Sequence, residues 1–258
     1  MGLPSAGSPP PRPAAMGDRL TYLYAVARDA VPGCPEGVAA VRTIAQAGLV
    51  AYVSSVPLER FGEQPLRRSL ADMHWLGETA RAHHRVVDAV AAATPTAPVR
   101  LVTVYEGDEQ VRGLLDRRAG DFLAVLSRVA GRREWGVKAY AASSPEDCTA
   151  EHSGKPGTSS SLRRRAGLRG REHARRQALA RAEHIHAALA TVAVASHRTQ
   201  DPRLSGRPDW MLLNRAYLVD VGREEEFAAM AAESGGNGVE VALTGPWAPY
   251  SFTVTDAR

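Results

Sequence analysis

The sequence predicts an α+β fold of two domains with ferredoxin-like β/α elements, joined through a linker and a long basic α-helix. Three observations point there. Short β-branched and aromatic runs alternate with helical periodicities, a Ser-, Gly- and Pro-rich stretch interrupts that rhythm, and an Arg-rich helical pattern restarts it. The expected layout is a Pro/Gly/Ala-rich disordered tail over 1–19, an N-terminal α+β domain over 20–142, a linker over 143–161, and a long helix with a C-terminal α+β domain over 162–258. With 258 residues, 44% of them hydrophobic, the chain has apolar material for such cores.

Met1–Ala15 reads MGLPSAGSPPPRPAA and lacks the basic head and apolar stretch of a signal peptide; Met16 opens a more ordinary start. Leu20–Val26 is apolar, β-branched and aromatic, a strand. Val38–Ala47 reads as a short helix, and Leu49–Val56 as a second strand stopped by Pro57. Leu70, Met73, Leu76, Ala80, His83, Val87 and Val90 recur at helical spacing within Leu66–Ala93, and Thr94-Pro95 ends that helix. Pro98–Val104 is a third strand. Asp108 offers an N-cap to a helix carrying Val111, Leu115, Ala119, Phe122, Leu126 and Val129, which Gly131 closes. Trp135, Val137 and Ala139 alternate with Gly136, Lys138 and Tyr140, a fourth strand assigned to the first domain. Four strands crossed by helices suit a small sheet with helices on one face, of which the ferredoxin-like arrangement is a common form.

The long helix is expected from about Leu162 to Ser196. Ala178, Ala182, Ile185, Leu189 and Val192 give it a heptad-like apolar stripe. Its first half carries Arg163, Arg164, Arg165, Arg169, Arg171, Arg175, Arg176 and Arg181 against Glu172 and Glu183. Beyond it, Asp201–Asp209 reads as a loop, Met211–Val219 as a strand, Arg223–Ala232 as a short helix and Gly235–Gly238 as a turn. Val239, Val241 and Leu243 alternate as a strand, and Gly245–Tyr250 turns the chain into an extended piece, Ser251–Val254.

Motifs for chemistry are missing. There is no G-x-G-x-x-G after a strand, no H-E-x-x-H, no C-x-x-C and no G-x-S-x-G. Ser153-Gly-Lys-Pro-Gly-Thr158 resembles a phosphate loop only superficially, since Pro156 stands where a hydroxyl should meet magnesium. His83 and His84 are helix neighbours pointing about 100° apart, and His184 and His186 do not face one another, so all read as solvent-facing or rim histidines. Glu224-Glu225-Glu226 reads as the acidic first turn of a helix. The expectation is no catalytic residue, no metal, no cofactor and no small-molecule substrate.

Two lone cysteines, Cys34 and Cys148, fit a reducing cytoplasm, with a Cys34–Cys148 bridge as the lesser alternative. Ile185–Ala195 is too short and Ala-rich to span a membrane, which takes about 20 apolar residues. The net charge of +4 permits an acidic partner without demanding one. The arginine cluster is the strongest physical feature. It reads first as a solvated helix face and next as a contact for an acidic protein. Nucleic acid comes last, because no aromatics interleave the arginines for base stacking. Trp247, Tyr250 and Phe252 read as core packing of the last strand or as a lip that docks a partner. The candidate partner-binding residues are therefore Arg163, Arg164, Arg165, Arg169, Trp247, Tyr250 and Phe252.

Several segments together resemble the gas vesicle protein L/F family. They are Tyr22–Val26, Trp75-Leu76 with Ala80–His83 and Val87–Val90, Pro98–Arg100 with Thr103-Val104, and Glu134-Trp-Gly-Val-Lys138. In the second half they are Asp201–Gly206, Met211–Asn214, Ala216–Val219 and Thr244-Gly-Pro-Trp247 with Pro249-Tyr-Ser-Phe252. Leu101-Val102 depart from the family's usual Phe-Gly, and Ser160-Ser161-Leu162 from a more aromatic helix entry. The resemblance implies a two-domain α+β protein of the cytoplasm and the gas vesicle. It further implies no catalytic residues, and contacts with the hydrophobic shell protein and other accessory gas vesicle proteins.

Overall fold

A computed structural model describes residues 18–141, 158–199, 211–236 and 238–253, with residues 158–172 and 174 described by their backbone alone. Residues 1–17 of the expected tail, most of the linker, the loop at Asp201–Asp209 and Cys148 lie outside the described residues, and Arg19, the last residue assigned to the tail, already belongs to a strand. The chain divides into two compact units, Met1–Ala93 with Val99–Phe122, and Thr94–Pro98 with Leu123–Arg258.

The first unit is built on a four-stranded sheet of β1 (Arg19–Ala27), β2 (Val41–Gln46), β3 (Leu49–Pro57) and β4 (Thr96–Tyr105), in the order β2-β3-β1-β4. β1 is buried from Tyr22 to Ala27 without alternation, as a central strand must be when both faces are covered. β2 overturns the expected helix at Val38–Ala47. Ala47 and Gly48 take φ of 52° and 71°, and this two-residue turn folds β2 antiparallel onto β3 with Gln46 opposite Leu49.

The long helix expected over Leu66–Ala93 is interrupted. After α1 (Leu58–Phe61) and α2 (Glu63–Ser69) the chain breaks, and α3 (Met73–Ala93) begins where the Asp72 carboxylate accepts the His74 and Trp75 amides at 2.9 and 3.3 Å. The break leaves Leu70 and Met73 exposed, while Thr79, Ala82, His83, Val86, Val87 and Val90 form the buried face of α3 on β1.

The next expected helix is also two, α4 (Asp108–Arg117) and α5 (Ala119–Val129), parted at Arg118 with φ −117° and ψ 19°. Gly107, not Asp108, holds the cap position. The Asp108 carboxylate instead accepts both Arg42 guanidinium nitrogens, at 2.7 and 2.8 Å, and the Thr21 hydroxyl at 2.8 Å. That pairing ties α4 to β2 and β1 and holds the Asp108 carboxyl below its ordinary range.

The second unit runs β5 (Arg132–Ala141), α6 (Thr158–Val192), β6 (Ala195–Arg198), β7 (Met211–Asp220), α7 (Glu224–Glu233) and β8 (Val239–Trp247), with strand order β6-β7-β5-β8. This is the β-α-β-β-α-β ferredoxin-like succession. Its strand order repeats that of the first sheet with every number raised by four. The first unit lacks a helix between β1 and β2, and α4, which follows β4, packs against β2 and β3.

β5 was expected in the first domain, but its ladders run to β7 and β8, so the strand belongs to the second sheet. α6 begins at Thr158, four residues before its expected start, and stops at Val192 because the chain then enters β6. Ala182, Ile185, Leu189 and Val192 are buried with Tyr217, Val219, Phe227 and Ala231 in the core of this unit. The expected extended piece at the end is a single 3-10 turn, Tyr250–Phe252.

Candidate functional site

The histidines come first as candidate reactive groups. His83 is a core residue, 1% exposed, rather than a rim histidine. The Tyr22 hydroxyl accepts the Val102 amide at 3.1 Å and lies 2.9 Å from His83 Nδ1. Burial, with the neighbouring His84 second, lowers the His83 pKa to about 4, so the ring is neutral and structural. His186 makes a similar contact in the second unit, Nδ1 to the Tyr217 hydroxyl at 3.0 Å. Burial pushes the Tyr217 hydroxyl up to about 12. Among the described residues, no three His, Cys, Asp or Glu side chains gather as a metal would require. None of the described helices is long and apolar enough to cross a membrane.

Arg163, Arg164, Arg165 and Arg169 fall on the N-terminal half of α6, and their side chains lie outside the described residues. Among the α6 residues whose side chains are described, the buried positions begin at Ala182. Upstream, Arg175, Arg176 and Leu179 are exposed, and Arg181 is half-buried with its guanidinium 3.4 Å from the Ser234 carbonyl. A helix of 35 residues is about 50 Å long, so the apolar stripe anchors one end while the arginines occupy the other.

The three aromatics near the C-terminus part company. Phe252 is buried against Val129, Ala216 and Leu218, which removes it from any docking surface. Tyr250 is half-buried at the start of the 3-10 turn. Trp247, at the end of β8, is 51% exposed.

What holds this corner is Glu134, a residue to which sequence reading gave no role. Its carboxylate accepts the Ser251 amide and the Ser251 hydroxyl, each at 2.7 Å, and burial pushes its pKa up. The Thr253 hydroxyl lies 3.0 Å from the Pro98 carbonyl. Gly245 precedes a cis peptide bond to Pro246 and takes φ +122°; a Cβ there would meet the Glu134 carbonyl at 2.9 Å, so only glycine fits. The register of β5 on β8 shifts at the same place, between Glu134 and Gly136. Two of the stretches that carry the family resemblance, 134–138 and 244–252, thus meet in space and close one latch. Trp247 is the large side chain this latch leaves in solvent.

The comparisons with known proteins agree on one family. Gas vesicle protein L of Streptomyces sp. (strain CB03234) is 41% identical over 247 residues, covering 91% of this chain and 93% of its own length. Gas vesicle protein F of the same strain is 26% identical over 251 residues, covering 90% and 98%. Crystal structures of GvpF share the fold. The one from Anabaena sp. PCC7120 has a TM-score of 0.66 at 18% identity, over 92% of this chain and 96% of that one. The one from Microcystis aeruginosa has a TM-score of 0.62 at 19% identity, over 91% and 99%. The family model for gas vesicle synthesis protein GvpL/GvpF matches residues 20–254, and the chain belongs to that family.

Proposed function

We propose that this protein is a non-enzymatic accessory factor of gas vesicle assembly, working in the cytoplasm at the growing vesicle. It binds the vesicle's shell protein and other accessory gas vesicle proteins. The observation that carries the reading is the family match across residues 20–254. A small shell subunit whose assembled face is apolar aggregates when left free, and a binder that covers that face keeps it available. Trp247 suits the apolar contact, as a large, half-exposed ring on a latched turn. The arginines of α6, Arg163, Arg164, Arg165 and Arg169, suit charged contacts with an acidic partner.

The test is a pull-down of purified shell protein by this protein and by its variants. Capture that weakens with Trp247→Ala supports the apolar contact. Capture unchanged when Arg163, Arg164 and Arg165 all become Glu removes the arginines from the account. The arginine excess also favours one rival, binding of nucleic acid through phosphate neutralisation. That rival predicts a steeply salt-dependent gel shift and ends if nothing shifts at low salt.

A further inference from the structure

A β-sheet edge presents unpaired N–H and C=O groups, and proteins blunt such edges with charge, proline, bulges or a covering element. The two sheets of this chain have β2 and β4, and β6 and β8, as their outer strands. Three of the four are blunted. β2 has α4 packed beside it, held by Arg42–Asp108 and by Gln46 on Asp116 at 2.9 Å. β4 contains Pro98 and is kinked at Val102, which takes φ +62°. β6 is four residues long and exposes His197 and Arg198.

β8 is different. Val239-Glu-Val-Ala-Leu-Thr244 is unbroken, is rich in β-formers and carries a single charge, Glu240. Among the described residues no strand lies on its outer side, and beyond Val239, whose N–H and C=O bond Gly236, the edge is open. Val241 and Leu243 pack on the core of the second unit yet remain half-exposed, and Glu240 and Thr244 are exposed. Gly245-Pro246 ends the open stretch.

We infer that the β8 edge pairs antiparallel with β8 of a second copy of this chain, about a two-fold axis through Ala242. The pattern of residues carries this choice of occupant. With Ala242 on the axis, each Glu240 stands opposite Thr244 of the other copy, and each Val241 stands opposite Leu243. No like charges meet, the apolar pair meets on the helix-covered face, and the small Ala242 meets itself. Directly opposite residues on antiparallel strands share a face, so the register also keeps each sheet's helix layer on one side. The result is one sheet running through both copies. This goes beyond the assembly role proposed above and does not depend on it, since neither the pairing nor its test involves α6 or the shell protein.

Sedimentation velocity of the full chain from about 1 to 100 µM, a range in which a modest interface becomes populated, reads the association. Rising mass from monomer to dimer is the expected result; a monomer throughout overturns the inference. The register is tested by charge at the axis. Ala242→Lys and Ala242→Glu each place like charges face to face, and each weakens self-association by at least about tenfold, while an equimolar mixture of the two restores a heterodimer. Circular dichroism melts of both variants, matched to the parent, establish that each is folded. Should either variant fail to fold, Thr244→Lys, facing Glu240 across the axis, takes its place and tightens the dimer. A dimer that ignores these substitutions overturns the β8 edge as the interface.

Discussion

Val102 holds a left-handed backbone, φ +62°, inside β4, and a β-branched residue enters that region at about 1–2 kcal/mol. The excursion is fixed by hydrogen bonds. The Val102 amide donates to the Tyr22 hydroxyl, and the Thr103 hydroxyl donates to the Arg100 carbonyl at 2.7 Å. This is the site where the family resemblance expects Phe-Gly, and the conformation explains the glycine. Val102→Gly releases the strain but adds backbone freedom to the unfolded chain, for a net gain of about 0.5–1 kcal/mol in chemical denaturation. A loss of stability would show that the valine side chain matters more than its backbone. The other end of the same network, His83, predicts a pH dependence. Its folded pKa of about 4 lies below its ordinary 6.5, so its contribution is complete above pH 6.5 and is lost as the pH falls toward 4. The full effect is about 3 kcal/mol. His83→Gln keeps a hydrogen-bonding side chain beside Tyr22 without titrating, so its stability should change less between pH 6.5 and 4. Parallel curves for the two proteins would contradict a buried neutral histidine.

At the scale of elements, β2 shows how periodicity misleads. Val38, Val41, Ile44 and Ala45 fall at helical spacing, yet the segment is a strand because the next two residues turn it back on β3. The turn has alanine where such a turn prefers asparagine, so the usual hairpin signal was absent. Ala47 is exposed and takes φ of 52°; Ala47→Asn is expected to gain a few tenths to about 1 kcal/mol, read as a higher denaturation midpoint. No gain, or a loss, would contradict the turn's geometry. The strands β1, β3, β4, β7 and β8 were readable because each is a compact apolar or alternating run bounded by Gly or Pro. The two split helices were not. Their apolar spacing continues through the breaks: Asp72 caps α3 just after the first, and at the second the Arg118 backbone leaves the helical region without interrupting that spacing.

For the whole molecule, a Ser/Gly/Pro run marks a connection but does not say which sheet the strand before it joins. β5 pairs with β7 from Arg132 opposite Asp220 to Tyr140 opposite Met211, so partners distant in sequence overrule the nearer boundary. The same distance hid the Glu134–Ser251 latch, 117 residues apart, which separates buried Phe252 from exposed Trp247. Family, fold class and the position of the basic helix could be read from the chain; which aromatic faces solvent could not, because burial is settled by tertiary packing. What results is two sheets of one topology, a helix with an apolar anchor and a basic end, and an exposed Trp247. Under the proposed function, these surfaces handle an apolar shell subunit. The most direct check is the soluble fraction of purified shell protein after dilution from denaturant, measured by sedimentation with and without this protein at equal concentration. The account predicts more shell protein in solution when this protein is present, and less of that gain with Trp247→Ser; the same precipitation with and without it would contradict the account.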